Sequence, residues 1–228
     1  MRIKSIMRYP LVLTVSAMVL TGCQSRPVED PLAVVSSDQS SELVTAIGQG
    51  NEKDVLSLIA KGYPINVTSA DGSALDRAAA AGMDTAVLEM LQQGADPRAG
   101  VQGNRATAIH YYADRGNVRM IRALALAGAD LEATDEKGRT PLAVALTKGQ
   151  LSASKTLIRA GADVNTSFGG RSLLMHIVTT NSLLLTQLMI DAGVDLNYRN
   201  DDGISALDVA QQGNLQDVQM LLVKSGAQ

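Results

Sequence analysis

Residues 135–165, DEKGRTPLAVALTKGQLSASKTLIRAGADVN, carry the start and stop signals of two short helices. Thr140 is a good N-cap because its hydroxyl oxygen accepts a hydrogen bond from a free backbone N–H, and Pro141 suits the first helical position. Leu142 and Leu146 then fall on one helical face. This spacing predicts a first helix that starts at Thr140.

The second half of the stretch predicts a second helix and a projecting turn. Gly149 ends the first helix, and apolar residues indicate a second helix from about Leu151 to Arg159. Gly161 follows that helix and accepts the left-handed conformation without a Cβ clash. The polar, turn-rich residues between Ala162 and the next helix predict a finger between helix pairs.

The same pattern returns about every 33 residues along the chain. One marker is the glycine of a Gly-Ala-Asp phrase or its variants: Gly62, Gly94, Gly128, Gly161, Gly193 and Gly226. The other is an apolar residue: Leu43, Leu75, Ile109, Leu142, Leu174 and Leu207. Both series advance by 32, 34, 33, 32 and 33 residues. Two markers that share one period predict a stack of six units, each burying its apolar face against its neighbours.

These phrases resemble the ankyrin repeat, whose pattern is a Gly turn, Thr-Pro-Leu-His, two antiparallel helices and Gly-Ala-Asp. The chain has Gly-Arg-Thr-Pro-Leu at 138–142 and Thr-Ala-Ile-His at 107–110. The resemblance covers residues 41–228. It implies an all-α ankyrin-repeat solenoid of about six helix-turn-helix units with β-turn fingers.

Departures from the pattern mark the ends and two turns. The first unit lacks the turn-and-cap phrase and is predicted to be the N-terminal cap. The sixth carries Gln219 and Lys224 on its second helix and is predicted to be the C-terminal cap. Asn181 and Asn214 stand where the family usually has Gly between the helices, and Asn also tolerates left-handed dihedrals.

The N-terminus resembles a bacterial lipoprotein signal. Residues 1–9 are basic, residues 11–20 are apolar, and Leu20-Thr21-Gly22-Cys23 looks like a lipobox. About ten apolar residues are too few to span a bilayer, which takes about 20. The resemblance implies that residues 1–22 are cleaved, that Cys23 is acylated, and that residues 23–40 form a flexible tether. The alternative is an ordinary signal peptide with a chance cysteine.

The residue after the cysteine implies a location. In the lipoprotein family, Asp at that position favours the inner membrane, and here it is Gln24. The resemblance therefore implies an outer-membrane protein that faces the periplasm. Removing three of the 20 basic residues with the signal leaves 17 against 23 acidic ones, a net charge of −6. Such a chain is a poor ligand for nucleic acid.

Ankyrin stacks bind proteins with the finger tips and the exposed side of each first helix. Carrying those positions over residue by residue gives a candidate partner-binding face: Asn104, Asp114, Arg115, Glu136, Lys137, Arg139, Lys148, Phe168, Arg171, Thr180, Asp201 and Asp202. The charges on this face are mixed, but most of its basic residues cluster in the fourth and fifth units, beside Asp201 and Asp202. The cluster suits an acidic patch on a partner; the alternative is that these charges are a solvated surface.

Phe168 is the only phenylalanine and is predicted to lie at a finger tip. Two interpretations stay open. Next to Arg171, an exposed aromatic ring suits an interface anchor. Alternatively, the ring folds back onto a neighbouring finger.

The sequence carries no pattern of an enzyme. His110 and His176 lie 66 residues apart, and no HExxH, CxxC, GxSxG or GxxxxGK motif is present. His110 matches a family position where histidine hydrogen-bonds the turn backbone. No catalytic residue, metal site or cofactor is predicted. An enzyme or small-molecule site without a recognisable sequence motif stays an alternative.

We therefore expect a lipid-anchored periplasmic protein-binding module. One role is immunity, in which the concave face occludes an envelope-targeting toxin such as a phospholipase effector of a type VI secretion system. This role rests on analogy between folds. The other role is a scaffold or regulator of a resident envelope protein.

Overall fold

A computed structural model describes residues 31–69, 71–100 and 105–228, with side chains from residue 39 onward. This part of the chain forms twelve helices and two short hairpins. The first six helices are α1 Pro31–Gly48, α2 Glu52–Ala60, α3 Ala74–Ala80, α4 Asp84–Gln92, α5 Ala108–Arg115 and α6 Val118–Leu126. The other six are α7 Pro141–Thr147, α8 Leu151–Arg159, α9 Leu173–Val178, α10 Leu183–Asp191, α11 Ala206–Gln212 and α12 Gln216–Lys224.

Consecutive helices pair into six repeats, from repeat 1 (α1 and α2) to repeat 6 (α11 and α12). The first helices of successive repeats pack on one another, and so do the second helices. We call these two layers the inner and the outer layer. This arrangement confirms the predicted solenoid of helix-turn-helix units.

The fingers precede the first helix of a repeat and are short antiparallel turns. Two of them contain paired strands, β1 (Thr68–Ser69) with β2 (Gly72–Ser73) and β3 (Ser167–Phe168) with β4 (Arg171–Ser172). We call residues 133–139 finger 4, residues 165–172 finger 5 and residues 198–205 finger 6, after the repeats that they precede.

Local capping starts the inner helices where the sequence predicts. The hydroxyl of Thr140 accepts a hydrogen bond from the N–H of Ala143 at 3.3 Å, and Pro141 begins α7. Ser73 and Ser205 form capping boxes, each with an Asp three residues later. A hydroxyl cap contributes about 1 kcal/mol, so each finger directly stabilises the helix that it precedes.

The periodic apolar residues form the core. Leu43, Leu75, Ile109, Leu142, Leu174 and Leu207 are all buried in one continuous cluster. Each buried side chain of this kind contributes roughly 1.5–3 kcal/mol. Alanines on the inner helices, such as Ala78 and Ala145, are also fully buried and let neighbouring helices approach closely.

The two predicted left-handed asparagines are confirmed. Asn181 has φ of 52° and Asn214 has φ of 51°. The equivalent turn of repeat 4 uses Gly149, with φ of 72°. Asn therefore replaces Gly here without changing the turn.

The two terminal repeats carry polar residues at positions where the repeats between them carry apolar ones. In repeat 1, Asp54 is exposed at the position of the buried Ala86 and Met120. In repeat 6, Gln219 stands at the position of Ile121, and its amide donates to the carbonyl of Ala210 at 2.9 Å. These polar residues fit the predicted capping roles of the two repeats.

The N-terminal segment stays a prediction. The signal peptide 1–22, Cys23 and the first part of the tether lie outside the described residues. Helix α1 begins at Pro31 and so includes the last part of the segment 23–40 that the sequence predicts to be flexible. Among the described helices, none is both long and apolar enough to cross a membrane.

Candidate protein-binding surface

Finger 4 is a tight turn held by one buried carboxylate. Asp135 accepts hydrogen bonds from the backbone N–H groups of Lys137 and Arg139, both at 2.9 Å. Its other oxygen receives the Arg139 guanidinium at 2.7 and 2.9 Å. Burial opposes ionisation, but these hydrogen bonds outweigh it and hold the pKa of Asp135 below its usual value. Arg139 therefore shapes the finger, and Glu136 and Lys137 are exposed at its tip.

Three more predicted residues tie repeats together. Lys148 pairs with Asp114 of the preceding repeat at 3.0 Å, and both side chains are about half exposed. The Arg115 guanidinium donates to the carbonyls of Ala79 and Ala80 at 2.6 and 2.7 Å. It thereby satisfies carbonyl groups at the C-terminal end of α3, which lack partners within that helix. Arg115 is thus largely committed to the fold.

Phe168 is not an exposed anchor. Its ring stacks on the imidazole of His176, with ring centroids 3.8 Å apart and planes 6° from parallel. The His176 ring also donates through Nε2 to the Phe168 carbonyl at 3.0 Å. Phe168 is half-buried and packs against the core. The ring does fold back, but onto the first helix of its own repeat, and its Cβ also lies close to Gly138 of finger 4.

The remaining predicted residues lie on fingers 5 and 6 and at the end of α9. Arg171, Asp201 and Asp202 are exposed. Asp202 makes one long contact with the Asn200 amide, at 3.4 Å. Thr180 donates its hydroxyl to the carbonyl of Ile177 at 2.7 Å and so completes the helix end. Asn104 lies outside the described residues.

The structure thus divides the predicted face into two sets. Six of the described residues make contacts within the fold itself: Asp114, Arg115, Arg139, Lys148, Phe168 and Thr180. Five charged residues on fingers 4, 5 and 6 are exposed and are not held in an ion pair within the described chain: Glu136, Lys137, Arg171, Asp201 and Asp202. We call these five residues the finger-tip charges.

A ladder of hydrogen bonds at the finger bases was not among the features predicted from the sequence. The side chains of Asn66, Glu132, Asn165 and Asn197 each accept, at 2.8 Å, the backbone N–H of Asp96, Asp163, Asp195 and Gln228 respectively. At the remaining position, Arg98 instead donates to the carbonyl of Gly128 at 2.7 Å. The signal was present, because these side chains stand two residues after the Gly-Ala-Asp aspartate or its equivalent. The ladder sets the spacing between successive fingers.

Two buried polar side chains on inner helices also join neighbouring repeats. Asp76 accepts the N–H of Ala108 at 2.6 Å, and burial raises the pKa of its carboxyl. The N–H of Thr107 donates to His110 Nδ1 at 3.1 Å, and His110 Nε2 donates to the carbonyl of Arg139 at 3.0 Å. Both contacts require a neutral imidazole with its proton on Nε2. Burial also lowers the pKa of His110, in agreement with this state.

The histidines therefore serve the turn backbone. His110 and His176 each donate to a backbone carbonyl, and His110 stands where the ankyrin resemblance places a turn-bonding histidine. Within the described residues, no cluster of three or more His, Cys, Asp or Glu side chains is arranged to hold a metal ion.

Comparisons with known proteins agree with this architecture. The family model for ankyrin repeats (3 copies) matches residues 75–168. The chain is similar to a B-cell lymphoma 3 protein homolog of Mus musculus, with 35% identity over 144 residues that cover 60% of this chain and 32% of that protein. It is also similar to a transient receptor potential cation channel subfamily A member 1 homolog of Caenorhabditis elegans, with 25% identity over 84% of this chain and 17% of that protein. The chain thus spans a third or less of these two relatives.

Solved structures share the fold over most of the chain. The ankyrin repeat domain of Bcl-3 is 29% identical, with a TM-score of 0.71 over 82% of this chain and 86% of that one. An ankyrin repeat domain from Acinetobacter baumannii AYE is 25% identical, with a TM-score of 0.72 over 82% of this chain and 98% of that one. The repeat period, the two helix layers and these likenesses show that the chain carries an ankyrin-repeat domain, a scaffold for protein–protein interaction.

Proposed function

We propose that this chain is a lipid-anchored protein that binds a protein partner with its fingers and inner helices. The observation that carries the proposal is the set of finger-tip charges. Fingers 4, 5 and 6 are held at fixed spacing by the ladder, yet their tips present charged side chains that the fold does not use. A rigid, mixed-charge surface of this kind favours a partner with complementary charges.

The anchor is supported by the N-terminal residues alone. A basic start and a short apolar segment precede Leu20-Thr21-Gly22-Cys23, which ends in the only cysteine of the sequence. Burial of several acyl chains, at roughly 0.8 kcal/mol per CH₂, would hold the chain durably at a membrane. The two curated relatives described above are animal proteins, so they do not bear on this part of the proposal. We place the protein at the outer membrane, facing the periplasm.

The partner that we propose is an envelope-targeting toxin, such as a secreted phospholipase effector. A protein held at the membrane is well placed to meet an enzyme that acts there. The fingers and inner helices would cover the mouth of the toxin's active site and block substrate access. A resident envelope protein held by the same surface is the alternative.

Charge reversal on the fingers tests the binding surface. Proteins from envelope and secreted fractions are captured on the immobilised protein and identified by mass spectrometry. The dissociation constant of each captured protein is then measured for wild type and for the Lys137→Glu and Arg171→Glu variants. We expect each reversal to weaken binding by about tenfold. The matched control is Arg119→Glu on the outer layer, which should bind like wild type. Equal binding by all three variants would contradict the proposed surface.

The partner's activity separates the two roles. Inhibition of a captured hydrolase, together with relief of its toxicity on co-expression, supports immunity. A captured envelope protein without toxicity supports the scaffold role. Metabolic labelling with palmitate tests the anchor independently, because a Cys23→Ser variant should lose the label while its finger surface still binds.

A further inference from the structure

Several exposed large apolar side chains gather on the outer layer of repeats 5 and 6. Leu184 is 70% exposed, Met220 is 67% exposed and Leu183 is 43% exposed. Together with Leu221 they line a groove between α10 and α12. Exposed leucine and methionine side chains gathered in one place are typical of an interaction surface.

The charges around this groove have a regular arrangement on α12. Asp217, Met220, Leu221 and Lys224 follow the spacing i, i+3, i+4, i+7, which places them on one face of the helix. Asp217 lies in the first turn and Lys224 in the last. The midpoint between the two charges falls between Met220 and Leu221. The face therefore has an apolar centre with an acid at one end and a base at the other.

Such a face is complementary to a second copy of itself. When two α12 helices pack antiparallel about a two-fold axis near Met220, Asp217 of each copy lies opposite Lys224 of the other. Both ion pairs form at once, as a two-fold interface requires. Each charge lies about 5 Å along the helix from the axis, given a rise of about 1.5 Å per residue. The antiparallel order also brings helix ends of opposite partial charge together.

We propose that the outer face of α12, extended by Leu183 and Leu184 of α10, is a self-association surface that joins two copies of this chain. This surface belongs to the outer layer, whereas the proposed partner-binding surface belongs to the fingers and the inner layer. A dimer therefore leaves the partner-binding surface of each copy free. The proposal does not depend on the identity of the partner.

A second exposed leucine provides the contrast. Leu126 on α6 is 90% exposed, but Arg122 and Arg159 flank it in the groove between α6 and α8. These two helices carry basic residues and no acidic residue. Two copies that met at this site would bring like charges together. The Leu126 site thus offers a matched control, with an exposed leucine but without self-complementary charge.

Sedimentation equilibrium tests the proposal on the full chain, in detergent matched in density by the solvent. We expect a monomer–dimer equilibrium whose dissociation constant rises by about tenfold or more in Met220→Glu, because that change places two like charges beside the axis. Leu126→Glu should leave it unchanged. A chain that stays monomeric at every concentration, or a dimer that Met220→Glu leaves intact, overturns the proposal.

Charge exchange tests the antiparallel register. Asp217→Lys alone and Lys224→Asp alone each create two repulsive contacts and should weaken the dimer by about tenfold. The double variant Asp217→Lys/Lys224→Asp restores opposite charges across the axis and should dimerise within about threefold of wild type. Circular dichroism confirms that each variant keeps its helices. Failure of the double variant to recover would overturn the register.

Discussion

Repeats 1 to 4 are joined by polar bonds that reach into the stack, whereas repeats 4 to 6 are joined inside the stack by apolar contacts. Glu52 of repeat 1 accepts the N–H groups of Thr85 and Ala86 at 3.0 and 3.1 Å, and so caps α4 of repeat 2. Asp76 and His110 make the next two connections. From repeat 4 onward, the hydrogen bonds described between repeats lie at the exposed fingers.

The same position in each inner helix shows the difference. Asp76 and His110 stand where Ala143 and Met175 are found in repeats 4 and 5, and all four residues are buried. A buried polar side chain binds a particular backbone group, so it fixes the register between two repeats. An apolar side chain contributes through area and close packing. The two halves therefore lose stability for different reasons. The N-terminal half is sensitive to the loss of a hydrogen-bond partner and to pH, whereas the C-terminal half is sensitive to the loss of buried side-chain volume.

Removal of core volume in the C-terminal half should have the largest effect. Leu174 is fully buried. Leu174→Ala should lower the free energy of unfolding by about 3 kcal/mol, because the truncation removes buried apolar surface and leaves a cavity. Urea denaturation measures the change. Leu126→Ala, at an exposed position of α6 outside the proposed self-association surface, is the control. Equal losses in the two variants would contradict an apolar junction.

Removal of the Asp76 carboxylate should have the next largest effect. Asp76→Ala deletes a capping box and leaves the buried N–H of Ala108 without its acceptor, so we expect a loss of about 2 kcal/mol. Asp208→Ala removes the equivalent capping box in repeat 6, where the described chain holds no following repeat, and should cost less. A loss at Asp208 as large as the loss at Asp76 would show that capping, not the connection between repeats, dominates.

The N-terminal half should also lose stability in mild acid. Burial lowers the pKa of His110 below its ordinary 6.5, so the unfolded chain takes up the proton first as the pH falls. The contribution of neutral His110 is complete above pH 6.5 and declines below it. Asp76 acts in the opposite direction, because its pKa is raised. The free energy of unfolding of wild type and of His110→Gln is measured at pH 7.5 and at pH 5.5. Between these two pH values the variant should lose less stability than wild type, and the difference is the contribution of the histidine.

The smallest effect is expected at a buried hydroxyl. Thr186 is fully buried and its hydroxyl has no hydrogen-bond partner in the described structure. Thr186→Val should be neutral or raise the free energy of unfolding by up to about 1 kcal/mol. In contrast, Thr156 donates to the carbonyl of Ser152 at 2.8 Å, so Thr156→Val should destabilise the protein. Thermal unfolding of the pair would reveal whether the two hydroxyls are equivalent after all.

The fold was predictable because its signals are local and repeated. The cap at Thr140, the helix Leu151–Arg159 and the left-handed Asn181 each depend on a few neighbouring residues. The uses of the side chains were harder to predict, because they depend on how one repeat stacks on the next. Nothing in the sequence places Arg115 against the end of α3.

Phe168 illustrates the same limit. Its position on a finger could be predicted, but its stacking on His176 depends on how the finger turns back over its own helix. Residues of the candidate face were predicted from their positions in the ankyrin pattern. Those positions alone do not separate the finger-tip charges from residues such as Arg139, whose guanidinium is bonded to Asp135 within the turn.

The ladder at the finger bases has a consequence for how such a chain changes in evolution. At four of its five positions, a side chain accepts from a backbone N–H in the following repeat, and every residue except proline supplies that group. The connection is indifferent to the identity of the next unit. After duplication or deletion of a repeat, the same hydrogen bond can form with whichever repeat follows. The C-terminal repeats can therefore be exchanged without loss of this contact. Repeats 2 and 3, with their particular buried partners, are the units least suited to such exchange.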